Sequence, residues 1–135
     1  MILETSFLID VMRGRPEAVA LVQEIDRSRE NVVLPSPGLF ELWVGAGRSR
    51  RTREEMGKIE SLVESFDVLV LTDADAKEAG LLQARLSLAG NKMGTVDVLI
   101  AGMARARGET LVTGDRDFSS VERDVRIRSY GRRGR

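Results

Sequence analysis

The sequence contains no histidine and no cysteine, and these two absences exclude several kinds of active site. Without histidine there can be no Ser-His-Asp triad, no histidine acid–base pair and no zinc held by imidazole. Without cysteine there can be no disulfide and no metal held by thiolates. Any metal chemistry must therefore use oxygen ligands, which favour hard cations such as Mg²⁺ or Mn²⁺.

Long hydrophobic runs and an excess of one charge are also absent. The longest apolar runs, such as "VDVLIAGMA", fall far short of the ~20 residues that span a membrane. No basic segment precedes an apolar stretch at the N-terminus, so we expect no secretory signal and a cytoplasmic location. The chain has 135 residues, of which 42% are hydrophobic, 21 are basic and 21 are acidic. These values indicate a single globular domain.

Arginine is unevenly distributed along the chain. The segment "RSRRTR" at 48–53 contains Arg48, Arg50, Arg51 and Arg53, and the final segment "RIRSYGRRGR" contains no acid. Guanidinium groups suit phosphate contacts, although a compositional bias toward arginine also explains these runs. We expect a domain over residues 1–130 and a flexible basic tail over residues 131–135.

Short apolar runs alternate with amphipathic segments. The runs at 1–3, 32–34, 68–71 and 110–112 predict buried strands, and 125–127 is a possible fifth strand. The segments between them predict helices, with N-caps at Ser36, at Thr72 or Asp73, and at Thr95. The pattern indicates an α/β domain whose mostly parallel sheet, of four to five short strands, is covered on both faces.

Several acids should meet at the carboxyl ends of these strands, where the crevice of such a sheet lies. Glu4 directly follows the first predicted strand, and Asp115 follows the fourth. Glu41 lies in a helix and shares a narrow stripe with Gly38 and Gly45, which would leave its carboxylate unobstructed. A solvated helix face also explains Glu41 alone, and turn chemistry also explains Asp115.

Asp97 is the fourth acid of this set. It lies in the first turn of an otherwise apolar helix, where the helix dipole alone would explain an acid. Because so apolar a helix should be buried, we expect Asp97 to face the crevice. We interpret Asp73 and Asp75 as helix capping only. Four converging carboxylates would raise one another's pKa values unless a divalent cation lay between them.

Four segments resemble, in order and spacing, the signature segments of PIN-domain ribonucleases, most closely the VapC-type toxins of toxin–antitoxin pairs. They are "MILETSFLID", "PGLFELWVGA", "GTVDVLIAGMA" and "LVTGDRDF". The resemblance covers essentially the whole chain. It implies a PIN-like α/β/α sandwich and a Mg²⁺- or Mn²⁺-dependent endoribonuclease acting on RNA. It also implies a homodimer and a cognate antitoxin that occupies the active site.

Matching positions in these segments imply roles for individual residues. The catalytic acids would be Glu4, Glu41, Asp97 and Asp115, the metal ligands would be Glu4, Asp97, Asp115 and Asp117, and the supporting residues would be Ser6 and Thr113. Glu41 would orient or deprotonate the attacking water, and the arginines at 48–53 would contact the RNA backbone. Glu4 is the one departure, because the family's usual residue there is Asp.

Three alternatives remain open at this point. A PIN domain that binds RNA or a partner without cutting is favoured only by Glu4. A receiver-type signalling domain would need a lysine late in the chain, and the last lysine is Lys92. A metal-dependent phosphatase acting on small molecules would be distinguished by comparing RNA with phosphomonoesters as substrates.

Overall fold

A computed structural model describes residues 1–131 of the chain. The strands are β1 (Ile2–Leu3), β2 (Val33–Pro35), β3 (Asp67–Leu69), β4 (Leu111–Val112) and β5 (Ile127–Arg128). The α-helices are α1 (Thr5–Met12), α2 (Pro16–Ser28), α3 (Ser36–Arg48), α4 (Thr52–Ser65), α5 (Asp73–Leu88) and α6 (Thr95–Arg107). A 3-10 helix over Arg116–Val121 connects β4 to β5. Most of the predicted basic tail, residues 132–135, lies outside the described residues.

The five strands form one sheet in the order β3-β2-β1-β4-β5, and every pairing is parallel. The central strand β1 is hydrogen-bonded on both sides: Ile2 N donates to Thr110 O at 2.9 Å, and Val33 N donates to Met1 O at 3.0 Å. The strand order reverses between β1 and β4, which creates a switch point where the loops after both strands diverge. The predicted parallel α/β sheet is therefore confirmed.

Both faces of the sheet are covered by helices, as the continuous apolar runs predict. Ile2 and Leu111 belong to a core shared with α5 and α6, whereas Leu3 and Val112 belong to a second core shared with α1, α2, α3 and α4. Successive strand residues point to opposite faces, so β1, β2 and β4 each contribute to both cores. None of the helices within residues 1–131 has the length and apolar character needed to cross a bilayer.

Helices α5 and α6 pack unusually closely. A Cβ atom on Gly102 would lie 2.5 Å from the Cβ of Ala79 and 2.6 Å from its Cα. Only a residue without a side chain fits this crossing. Helix α6 ends at Gly108, whose φ of +62° is the left-handed conformation that glycine adopts readily, as predicted.

Two predicted N-caps are wrong, and one is confirmed. Ser36 lies inside α3 after Pro35, and its hydroxyl instead accepts a bond from Leu71 N at 3.3 Å. Thr95 lies inside α6, because Val98 N donates to Gly94 O and starts the helix one residue earlier. Thr72 does cap α5, in a reciprocal capping box with Asp75.

Every strand also differs from its predicted bounds by one or two residues, because pairing with neighbours sets the ends, and β3 and β5 illustrate this. The predicted run 68–71 is a strand only over Asp67–Leu69, where it is in register with β2, and Val70 beyond it is 67% exposed. The predicted fifth strand at 125–127 occurs instead at Ile127–Arg128, opposite Leu111 and Val112.

Candidate active site

Glu4 lies at the switch point, directly after β1, but its side chain turns inward. Only 2% of the residue is exposed. Its Oε2 accepts a hydrogen bond from Ser6 N at 2.8 Å, which caps the N-terminus of α1. Its Oε1 accepts bonds from Ser6 Oγ at 2.5 Å and from Thr113 Oγ1. Both carboxylate oxygens of Glu4 are thus bonded to protein donors.

The two hydroxyls that bond to Glu4 also hold the loop after β4. Gly114 N donates to Ser6 Oγ at 3.1 Å, and Asp115 N donates to Thr113 Oγ1 at 3.0 Å. These contacts join the first turn of α1 to the loop that carries Asp115. The structure therefore brings together Glu4, Ser6, Thr113 and Asp115, as the sequence predicts.

Asp115 begins the 3-10 helix and is half-buried. Its Oδ1 accepts a bond from Asp117 N at 2.9 Å, so it caps the short helix as the turn interpretation suggests. Asp117 lies two residues further along the chain and is exposed.

Glu41 projects from α3 toward the first turn of α1. Thr5 Oγ1 donates a hydrogen bond to Glu41 Oε1 at 2.8 Å. Gly38 allows this approach, because a Cβ there would lie 3.2 Å from Thr5 Oγ1. A Cβ at Gly45 would meet nothing within 4 Å, so that glycine has no packing role here. Sequence reasoning missed Thr5, although its place between Glu4 and Ser6 is a signal that could have found it.

Asp97 lies in the first turn of α6 and is half-buried. Burial, followed by the charges of Glu4, Glu41, Asp115 and Asp117, raises the pKa of Asp97 from 3.8 to about 7. The prediction that Asp97 faces other acids is thus reflected in its electrostatics. Burial also raises the pKa of Glu4, and the charge of Asp115 adds to this, while hydrogen bonds from Ser6 and Thr113 oppose it.

The donor set suits a hard divalent cation, but no coordination shell is preassembled in the part of the chain that the structure describes. The surrounding acids offer only oxygen ligands, and their mutual repulsion would be relieved by a positive charge. Within residues 1–131, no three acids are arranged as a ready-made metal site. Magnesium commonly keeps several waters and binds proteins through one or two carboxylates, so this looser arrangement still fits it.

Two cavities flank the acids. One of about 310 Å³ lies between α1, α3 and α4 and includes Ile9, Met12, Glu41 and Leu42 in its lining. The other, of about 640 Å³, extends from Thr113 and Asp115 to Tyr130. Glu41 therefore borders one cavity and Asp115 the other.

The predicted phosphate-binding arginines surround the turn between α3 and α4. Arg48, Arg50, Arg51 and Arg53 are all exposed. Arg51 makes a long surface ion pair with Glu54 at 3.8 Å, a contact that contributes little to stability and leaves the guanidinium accessible.

Comparisons with known proteins agree on one family. The model of the PIN domain family matches residues 1–124. The tRNA(fMet)-specific endonuclease VapC of Shigella flexneri is 32% identical over 120 residues, which cover 88% of this chain and 89% of that protein.

Solved structures give the same result. The DNA-bound VapBC complex of Salmonella typhimurium includes a chain that is 26% identical, with a TM-score of 0.83 over 95% of this chain and 96% of that one. A chain of VapBC2 from Rickettsia felis, bound to promoter DNA, is 20% identical, has a TM-score of 0.87 and covers 96% of this chain and 97% of that one. The second likeness concerns the fold alone.

Proposed function

This chain belongs to the PIN domain family, in its VapC group, and on that premise we propose that it is a metal-dependent endoribonuclease and the toxin of a toxin–antitoxin module. Its substrate would be RNA, hydrolysed at phosphodiester bonds. The name of the Shigella relative makes initiator tRNA the first substrate to test.

The observation that carries this proposal is the electrostatic state of Asp97. Its pKa of about 7 reflects burial and the charges of four other acids, which are Glu4, Glu41, Asp115 and Asp117. Such a concentration of negative charge is costly in a folded protein unless a cation or a cationic partner group binds there. Since the chain has no histidine, hydrolysis at this point would depend on a metal.

We assign the cation, Mg²⁺ or Mn²⁺, to the oxygens of Asp97 and Asp115, with Glu4 and Asp117 contributing negative charge or ligands. When bound, such a cation would polarise the scissile phosphate and lower the pKa of a water in its shell. Glu41 would orient that water or accept its proton, since Thr5 fixes one of its carboxylate oxygens and its residue borders the cavity between the helices.

The RNA backbone would contact the exposed arginines around the turn between α3 and α4. Arg48 is the last residue of the helix that carries Glu41, and the other three arginines lie beyond its end. Planar guanidinium groups bind phosphate oxygens in pairs, which would hold a strand without reading its bases. We expect cleavage to leave 5′-phosphate and 3′-hydroxyl ends, as the family resemblance implies.

The partner would be a cognate antitoxin, since the related structures are VapBC complexes. We propose that it places an Arg or Lys among the acids and an apolar anchor in the cavity lined by Ile9, Met12 and Leu42. We further propose a homodimer and a cytoplasmic location, both of which remain predictions from the sequence.

The test is an RNA cleavage assay with and without divalent cation. We expect cleavage that requires Mg²⁺ or Mn²⁺, stops with chelator and is lost in Asp97→Asn. Asp73→Asn, an exposed acid at the start of α5, is the control and should cleave as the parent does. RNA retention without metal-dependent cleavage would contradict the proposal and favour a PIN domain that only binds.

A further inference from the structure

We propose that Glu4 is a positioning residue, which holds the loop of Asp115 against α1 and does not itself bind the cation. This inference rests on the proposed function and refines it. It concerns the position directly after β1, where this chain has Glu and the usual residue of the PIN domain family is Asp.

The first support is that the carboxylate of Glu4 is already bonded on both oxygens. Oε2 accepts the Ser6 amide, and Oε1 accepts the hydroxyls of Ser6 and Thr113. The two hydroxyls occupy both lone pairs of Oε1, so a cation could bind there only by displacing one of them. Because only 2% of the residue is exposed, Oε2 is also poorly accessible to a cation. Asp97 and Asp115 are half-buried and therefore more accessible to a cation.

The second support is the direction of the hydrogen bonds that pass through the two hydroxyls. An ionised carboxylate only accepts, so Ser6 and Thr113 must both donate their hydroxyl protons to Glu4. Each hydroxyl oxygen then presents lone pairs to the loop, and these accept the amides of Gly114 and Asp115. Glu4 thus fixes the orientation of two hydroxyls, and they fix the loop.

The third support is the length of the side chain. A short Asp at an N-cap reaches the first-turn amide easily. Glu4 has one more methylene, and with it the carboxylate both caps α1 at Ser6 and reaches Thr113, which directly follows β4. The additional length is therefore used to join the segments that follow β1 and β4 at the switch point of the sheet.

Glu4→Gln and Glu4→Ala separate positioning from ligation, because both remove the same charge. A carboxamide can accept from Ser6 N and donate to both hydroxyls, each of which keeps a lone pair for its loop amide. Alanine can do neither. The measurements are Mn²⁺ affinity by calorimetry and amide hydrogen exchange at Gly114 and Asp115.

We expect Glu4→Gln to bind Mn²⁺ less than about tenfold more weakly than the parent, and Glu4→Ala to lose a further 10- to 100-fold, about the effect of removing an outer-shell partner. Exchange at Gly114 and Asp115 should accelerate in Glu4→Ala but not in Glu4→Gln. Thr113→Val, which removes one linking hydroxyl at nearly constant shape, should reproduce the alanine result if Glu4→Ala does not fold.

Asp75→Asn is the matched control, because Asp75 is another buried acid that caps a helix. It should lower thermal stability and leave both Mn²⁺ affinity and loop exchange unchanged. Equal and severe losses of affinity in Glu4→Gln, Glu4→Ala and Asp97→Asn would overturn the inference and make Glu4 a ligand. Absence of Mn²⁺ binding by the parent would instead contradict the proposed function, while the exchange rates would still decide the positioning role.

Discussion

Asp97 is the side chain whose pKa burial and the neighbouring acids raise from 3.8 to about 7. Between about pH 4 and about pH 7, Asp97 is therefore mostly protonated in the folded protein and mostly ionised in the unfolded chain. The contribution of Asp97 to the free energy of unfolding therefore falls as pH rises from about 4 to about 7, and it is constant above about pH 7.

Asp97→Asn should consequently stabilise the metal-free protein, and increasingly so as pH rises. In chelator, the difference in melting temperature between variant and parent should be small near about pH 4 and largest above about pH 7. Thermal unfolding followed by circular dichroism measures this.

Thr95→Ala, an exposed neutral position in the same helical turn, is the control for Asp97→Asn and should shift stability by the same amount at each pH. A pH-independent effect of Asp97→Asn would show that its carboxyl is not in the raised-pKa state.

At the scale of single residues, the sequence predicts the backbone positions of the acids but not the orientation of each side chain. Glu4, Glu41, Asp97 and Asp115 could be placed together from strand ends, helix stripes and the family's segments. The inward turn of Glu4 depends on Thr113, 109 residues away, and no local pattern encodes that contact.

At the scale of helices and strands, a short sequence pattern predicts a cap or an end correctly when no distant residue bonds to the same atoms. The capping box at Thr72 is local and was predictable. Ser36 fails as a cap because its hydroxyl bonds to Leu71 N, which belongs to a segment distant in sequence. The ends of β3 and β5 follow their neighbours' register, which apolar runs alone do not specify.

The crossing of α5 and α6 gives a prediction at this scale. Gly102→Ala should destabilise the protein by about 1–3 kcal/mol or more, because the new Cβ would overlap the backbone of Ala79. Gly57→Ala is the matched control: it lies in α4 with nothing within 4 Å of the new atom, and should stabilise by up to about 1 kcal/mol through helix propensity. Urea unfolding of both variants would reveal opposite signs, and equal signs would contradict the close packing.

A second prediction at this scale concerns the segment after β5. Tyr130 Oη donates to Asp10 Oδ2 at 2.6 Å, and its ring meets Phe7 edge-on with centroids 5.2 Å apart. Asp10 is fully buried and also faces Arg15 Nε at 3.3 Å. Tyr130→Phe keeps the ring but removes a donor to a buried carboxylate, which should cost about 1.5–3 kcal/mol.

Chemical denaturation in two backgrounds checks the Tyr130 contact. The cost of Tyr130→Phe should shrink when Asp10 is already Asn, because the charged acceptor is then gone. An unchanged cost in that background would place the effect in ring packing and not in the hydrogen bond.

At the scale of the whole molecule, the alternation of strands and helices predicts a parallel α/β sheet, but it does not predict the strand order. The order β3-β2-β1-β4-β5 makes β1 central and gathers the acids on both sides of one switch point. That juxtaposition is a property of the complete sheet.

Cation binding should therefore stabilise the entire fold. At a hundredfold excess over the dissociation constant, Mn²⁺ should add about 2.7 kcal/mol to the free energy of unfolding. Thermal scans across a Mn²⁺ titration should show a rising midpoint in the parent and a much smaller rise in Asp97→Asn. The same rise in both would indicate that the cation binds elsewhere.

The central position of β1 also determines when the site can first exist during synthesis. The ribosome makes Glu4 almost at once, but Thr113 emerges 109 residues later, and β1 lacks one of its two neighbours until then. Translation that stops before residue 113 therefore yields a chain without the Asp115 loop. An unfinished copy therefore lacks part of the acidic cluster, and only a nearly complete polypeptide can assemble all of these acids.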